Sequence, residues 1–299
     1  MKQWPFLNLK MVRIKNIGRP KNKQQAKTIN MKKVLIIFLT LNFILVLKLN
    51  AQTEVEQINS IVMKYIEGTA NGNPDKVREA FHKDFNLFLV QEDTLRAIDG
   101  IGYIERVEKG KKYNRIGRII SIDYENDAAS VKVEVYFPDT KRIATDYLLL
   151  LKIKGQWKIL HKIINLKNYQ KVEDLVSNEK LGIEEIKKTL LNYIEGTANG
   201  EPEKLKRAFH QNFNLYYIKD DSLSIIPGKQ YIGNFKEGKK INRIGNILSL
   251  DYENNAGLAK VQVLMPDRNR IAIDYLLLLK IKNDWKIIHK SFTSKNYDK

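Results

Sequence analysis

The chain repeats itself at a fixed offset. YIEGTANG at Tyr65–Gly72 returns at Tyr193–Gly200, and AFH at Ala80–His82 returns at Ala208–His210. NRIG, DYEN and DYLLLLKIK, starting at Asn114, Asp123 and Asp146, return at Asn242, Asp251 and Asp274. Every offset is 128 residues, with no gap from Ile58/Ile186 to Lys171/Lys299, and about 63 of 114 aligned pairs are identical. Each unit is too long for a solenoid repeat and has the size of one small domain. The expectation is two tandem domains, 52–171 and 183–299, with a linker at 172–182. The linker is short and polar (VEDLVSNEK), which predicts that the two copies touch. Identity between copies does not mark functional residues, because core positions are retained too.

Net charge at first suggests a nucleic-acid or membrane-surface protein, since the formal value is +18. Its distribution argues otherwise. Residues 1–51 hold 11 Lys/Arg and no Asp or Glu, so the remaining 248 residues carry only +7. Within that leader, Met31-Lys32-Lys33 precedes an apolar run from Val34 to Leu47, and Leu49-Asn50-Ala51 supplies a small-residue cleavage site before Gln52. This is the layout of a secretory signal peptide, too short for a membrane span of roughly 20 residues. The alternative is an uncleaved N-terminal anchor. Residues 1–30 place a basic stretch ahead of that second Met-Lys-Lys and read as a gene-start artefact or an extended leader. The expectation is therefore an exported, periplasmic or secreted protein with no nucleic-acid partner and no stable span after cleavage. The chain has no cysteine, which excludes disulfides, thiolate nucleophiles and Cys-ligated zinc.

Each unit reads as α+β. Val55, Ile58, Val62 and Tyr65 fall at helical spacing, as do Ile183, Ile186, Leu190 and Tyr193. Asn73-Pro74 and Glu201-Pro202 open a second helix. Phe85–Val90 and Thr94–Ile98 read as a small hairpin, and Tyr103–Lys109 as a third short helix. Four longer strands follow: Ile116–Tyr124, Ala129–Phe137, Ile143–Ile153 and Trp157–Ile164. Three helices with a hairpin among them, then an antiparallel meander, exclude a βαβ pattern.

These residues resemble the nuclear transport factor 2-like superfamily, in its lumazine-binding, SnoaL-like branch. The carriers are YIEG at the end of helix one, the Asn-Gly/Pro start of helix two and the AFH…FNL stretch. The Asp-Tyr before the leucine-rich strand and the final WKIxHK at Trp157–Lys162 and Trp285–Lys290 complete them. The resemblance covers both units. It implies two tandem cones, each a curved antiparallel sheet wrapped on about three helices around an interior pocket. It also implies pairing through the sheets, which two fused copies can satisfy within one chain as a pseudo-dimer.

Some relatives with such pockets, ketosteroid isomerase and scytalone dehydratase among them, perform acid–base chemistry with a carboxylate or histidine in an apolar cavity. The candidates here are sorted by strand register. A three-residue loop Lys154-Gly155-Gln156 places Ile153 opposite Trp157, Leu151 opposite Ile159 and Leu149 opposite His161. His161 and His289 then point inward with Tyr147 and Tyr275 as possible proton-transfer pairs; the competing reading is a satisfied core histidine. Asp146 and Asp274 point to the outer face, with Lys162 a diagonal neighbour of Asp146. His82 and His210, at the end of helix two, read equally well as helix caps. Tyr65, Tyr103, Trp157, Tyr193, Tyr231 and Trp285 complete the pocket candidates. With two His per copy, 79 residues apart, no metal spacing exists, and no phosphate loop, nucleophile elbow or Rossmann fingerprint is present. No cofactor is expected. Lys111-Lys112 and Lys239-Lys240 read as solvated loop charges.

Three functions fit. The first is a non-catalytic module that binds a small apolar or heteroaromatic ligand in the cell envelope. The alternative is a structural or interaction protein whose sheets pair. The second alternative is an isomerase or dehydratase using the His/Tyr pair.

Overall fold

The computed structural model describes residues 52–169 and 180–297. The leader and most of the predicted linker lie outside the described residues. The first copy runs α1 (Glu54–Ala70), α2 (Pro74–Ala80), β1 (Phe81–Gln91), β2 (Thr94–Asp99), α3 (Gly100–Glu105), β3 (Ile116–Glu125), β4 (Ala128–Phe137), β5 (Arg142–Ile153) and β6 (Gln156–Asn168). The second repeats it: α4 (Lys180–Asn199), α5 (Pro202–Ala208), β7 (Phe209–Lys219), β8 (Ser222–Pro227), α6 (Gly228–Gly233), β9 (Ile244–Glu253), β10 (Ala256–Met265), β11 (Arg270–Ile281) and β12 (Asp284–Asn296).

Local chemistry sets the helix ends. Thr53 and Glu56 form a reciprocal capping box at the start of α1. Pro74 stands in the first turn of α2 behind an Asn73 cap. The third helix begins three residues earlier than its sequence pattern suggested, because Asp99 accepts from the Gly102 N–H and Gly100 packs closely on Phe85.

Each copy builds a six-stranded sheet, β2-β1-β6-β5-β4-β3 and β8-β7-β12-β11-β10-β9. The pairs are antiparallel except β1 with β6 and β7 with β12, which are parallel. One face of the first sheet packs on the helices. Val131, Val133, Leu148, Leu150, Trp157 and Ile159 meet Ile58, Val62 and Tyr65 there. The other face packs on the second copy's sheet: Tyr147, Leu149, Leu151, Leu160 and Ile163 join Tyr216, Tyr275, Leu277, Leu279 and Ile288 in one buried cluster. Both faces of β5 are buried, which is why its sequence is a continuous leucine run rather than an alternation.

The pairing between copies is isologous. Lys132 bonds Asp251 at 2.9 Å, and its counterpart Lys260 bonds Asp123 at 2.6 Å. Tyr147 donates to Asp251 at 3.1 Å, and Tyr275 donates to Asp123.

The β5–β6 hairpin corrects the sequence register. Its loop is the two residues Lys154-Gly155, both with positive φ (48° and 75°), so Ile153 pairs with Gln156 and Lys152 with Trp157. Positive φ at both central positions is the type I′ turn that matches strand twist. The polar Lys152 opposite Trp157, which had argued against this loop, is accommodated by Glu54. Its two oxygens take Lys152 Nζ at 2.6 Å and Trp157 Nε1 at 2.8 Å. A β-bulge at Leu160 then restores the pairing of Leu149 with His161.

Candidate functional site

The bulge decides which side chains face the cone. Before it, Trp157 and Ile159 point to the helices; after it, Leu160 and His161 both point to the other sheet. The two-residue turn sets Asp146 inward, the reverse of its sequence expectation, and the bulge sets Lys162 inward beside it. Tyr147 and His161 leave the pocket for the interface between copies, and Tyr275 and His289 do the same in the second copy.

Inside the first cone, Tyr65 from α1 donates to Asp146 Oδ2 at 2.6 Å, and Lys162 Nζ sits 2.8 Å from the same oxygen. Lys162 also bonds the Tyr65 hydroxyl and lies 4.4 Å from its ring centroid. All three are buried. Asp146 Oδ1 has no hydrogen-bond partner. Burial, reinforced by the Asp146 charge, holds the Tyr65 hydroxyl well above the usual phenol range. Tyr103 and Arg115 close the cluster on the open side; Lys162 Nζ is 5.3 Å from the Tyr103 ring. The second cone repeats the arrangement: Tyr193 donates to Asp274 Oδ2 at 2.5 Å, Lys290 reaches the same oxygen at 2.8 Å, and Oδ1 is again unpartnered. Arg243 stands against Tyr193, Tyr231 and Asp274.

The cone opens beside each cluster. In the first copy a pocket of about 200 Å³ is lined by Tyr103, Arg115, Phe137, Asp146, Lys162 and Ile164, among others. Its chemistry is a carboxylate neutralised by an ammonium and a phenol at the floor, with a guanidinium and an aromatic ring at the rim. In the second, a pocket of about 680 Å³ is lined by Tyr231, Phe235, Ile241, Arg243 and Met265 with several further basic residues, and Asp274 and Lys290 do not line it.

The other predicted residues lie elsewhere. Trp157 and Trp285 sit in the cone cores and donate to Glu54 and Glu185. His82 and His210 are in strand, just past the second helix, each accepting from the N–H two residues on at 3.3 Å. Burial lowers the affinity of both for a proton, the opposite of what a helix C-terminus does to a capping cation. His161 and His289 stack on each other at 3.8 Å between the sheets, and no ring nitrogen of either has a hydrogen-bond partner. The isomerase reading therefore loses its proposed base and its proposed polarising tyrosine. Among the described residues no group of three His, Cys, Asp or Glu could hold a metal, and no helix is long and apolar enough to cross a membrane.

The sequence names Asp146 and Lys162 as diagonal partners and Tyr65 and Tyr193 as pocket candidates, but not Arg115 and Arg243, nor the bond from each tyrosine hydroxyl to its aspartate.

Two six-stranded sheets, each wrapped on three helices and opening at a pocket, define a tandem pair of nuclear transport factor 2-like α+β cones. The chain belongs to the family described as Putative lumazine-binding, whose pattern matches residues 53–164 and again 182–293. Solved structures similar to it include an NTF2-like protein of unknown function from Shewanella baltica OS155. That match has 24% identity and a TM-score of 0.36, covering 40% of this chain and 100% of that one. Another NTF2-like protein of unknown function, from Methylobacillus flagellatus KT, is 26% identical with a TM-score of 0.35, covering 40% and 96%. A protein titled Putative Scytalone Dehydratase, from Novosphingobium aromaticivorans DSM 12444, is 16% identical with a TM-score of 0.32, covering 40% and 89%. No functionally curated protein matches the chain.

Proposed function

We propose that this protein is a non-catalytic small-ligand-binding module exported to the cell envelope, with one binding cone per copy. The observation that carries the reading is the buried cluster in each cone, which in the first copy lines the pocket through Asp146 and Lys162. A buried carboxylate has one oxygen fully engaged by Tyr65 and Lys162, or by Tyr193 and Lys290, and the other oxygen unpartnered. Leaving a buried acceptor unsatisfied costs roughly 1–3 kcal/mol, which a donor group on a ligand would recover. The same geometry disfavours catalysis. A general base needs an oxygen open to the substrate proton, whereas Oδ2 of this carboxylate is already held by an ammonium and a phenol. Export rests on the leader pattern at residues 31–51.

The test is native purification from the envelope fraction followed by denaturing release and mass spectrometry. The expected result is a small molecule in near-stoichiometric amount, retained by the purified protein without conversion, on a chain whose N-terminus is Gln52. A protein that releases nothing, and whose melting temperature no compound in a heteroaromatic library raises, would remove the binding reading.

The paired sheets favour a second reading. The interface joins two copies through a continuous apolar cluster, so the chain performs internally the pairing that the family resemblance assigns to separate subunits.

A further inference from the structure

The two pockets are unlike, and the difference is chemical. The second, about 680 Å³, spreads over the loop between α6 and β9, while the first, about 200 Å³, matches it only at Tyr103/Tyr231, Arg115/Arg243 and Phe137/Met265. The second lining holds five cations, Lys236, Lys239, Lys240, Arg243 and Arg268, against one carboxylate, Asp267. Asp267 is taken up by Asn242, which donates to it at 2.8 Å. Among the described residues, none of the five cations is in an ion pair; the second copy's salt bridges within itself are made by Lys187, Lys204, Lys206, Lys280 and Lys290. Arg243 Nε is buried without a hydrogen-bond partner.

The first copy differs at the matching positions. Glu108 stands where the second copy has Lys236, and it neutralises Lys111 at 2.6 Å. Thr140 stands where Arg268 does, and Tyr113 where Ile241 does. Arg115 is drawn over the Phe137 ring, 5.0 Å from its centroid. Two changes run the other way: Arg106 stands where the lining residue Asn234 does, and the exchange of Lys109 for Glu237 falls outside the lining. Duplication thus gave two cones with the same buried Tyr–Asp–Lys cluster, and divergence raised the number of unpaired cations around one mouth.

Five like charges around a concave mouth repel one another and focus a positive potential into it. A guanidinium at the rim matches carboxylate or phosphate oxygens in a planar fork. Beneath the cations, Ile226, Tyr231, Phe235, Ile241 and Met265 offer an apolar bed for a flat body. We infer that the second cone is the anion-binding one, and that its ligand is a small aromatic molecule bearing at least two carboxylate or phosphate groups. This assignment rests on the ligand-binding reading and adds to it the pocket and the ligand's charge.

Calorimetric titration of the full chain tests it, using naphthalene-2,6-dicarboxylate, naphthalene-2,6-diyl bisphosphate and the neutral dimethyl ester of the dicarboxylate. The expected result is one site per chain for either anion, at least tenfold tighter than the ester and weakening as salt is added. Lys239→Gln with Lys240→Gln weakens the anions at least tenfold. The counterpart change, Lys111→Gln with Lys112→Gln, leaves them unchanged. Lys236→Glu with Arg268→Thr installs the first copy's residues at exposed positions and also weakens the anions at least tenfold. Two equivalent sites, an equal loss from the first-copy control, or an ester that binds as tightly as the anions overturns the charge assignment while leaving the ligand-binding reading in place. If no probe binds, the assignment falls; if in addition nothing copurifies, the ligand-binding reading falls with it.

Discussion

His161 and His289 lie face to face between the two sheets, ring centroids 3.8 Å apart and planes within 7° of parallel. Tyr216 packs against His161 at 4.2 Å and Phe88 against His289 at 4.7 Å. The pair therefore sits in an apolar sandwich, each ring covered by its counterpart and by an aromatic side chain of the opposite copy. Burial pushes both below the ordinary histidine range, His289 down to about 3, and each is neutral in the fold.

That neutrality makes the interface acid-sensitive. Below about pH 6.5 the unfolded chain binds protons at these positions that the folded chain does not. Stability is intact above about 6.5 and falls as pH drops toward the folded value of about 3. His289 alone contributes a loss of about 1.4 kcal/mol per pH unit across that window. Urea denaturation at pH 6 and pH 4 should show this slope, and His289→Leu should reduce it by about that amount. An unchanged slope would mean the ring is solvated.

The buried ion pair predicts strong non-additivity. Asp146→Asn leaves the Lys162 ammonium buried without its carboxylate and should cost about 3–5 kcal/mol. Asp146→Leu combined with Lys162→Met removes both charges and should cost markedly less than the single change. Denaturant midpoints of the three proteins check this; equal losses would place the pair in contact with solvent.

The cross-copy aspartates behave differently because they are half-exposed. Asp123→Asn and Asp251→Asn should each cost about 0.5–1 kcal/mol at low salt and less in 1 M salt. The two losses should match, since Lys260 with Tyr275 and Lys132 with Tyr147 are equivalent partners. Thermal denaturation across a salt series reads both effects.

Gly200 ties the second mouth to its helices. Its φ is +65°, and an added Cβ would stand 2.4 Å from the Lys236 and Lys239 carbonyl oxygens. Gly200→Ala should therefore cost more than about 2 kcal/mol and weaken binding of naphthalene-2,6-dicarboxylate by displacing that loop. Gly155 also has positive φ, +75°, but nothing lies within 4 Å of its Cβ position, so Gly155→Ala should cost only the backbone strain of about 1–2 kcal/mol. Paired denaturation curves separate the two cases.

The sequence disclosed the duplication, the element order and the antiparallel strand partners, because each is written in spacing; the parallel pairing of β1 with β6 is not. The facing of β6 was hidden by one turn and one bulge. Lys154-Gly155 lacks the Asn-Gly or Asp-Gly signature of a type I′ turn, so the longer loop looked better for Trp157. The longer loop put Asp146 on the outer face, and counting alternation through Leu160 carried His161 into the cone, since a one-residue slip reverses every side chain. The four leucines from Leu148 to Leu151 held the correcting information: a strand apolar at every position has no solvent face. The Tyr65 hydroxyl could not be read at all, because its partners arrive from β5 and β6, which only tertiary packing brings beneath α1.

The parallel pairing of β1 with β6 fixes an order in which the chain can close. The last strand of each copy is not at the sheet's margin but between its first strand and β5, or β11 in the second copy. The first copy cannot join its hairpin to its meander until β6 is in place. Even then its outer leucines remain uncovered until β11 and β12 dock. A half-folded chain thus presents the surface that its own second half is built to cover, a surface open to other chains. Joining the copies in one polypeptide settles that competition by proximity: the correct partner is always on the same chain.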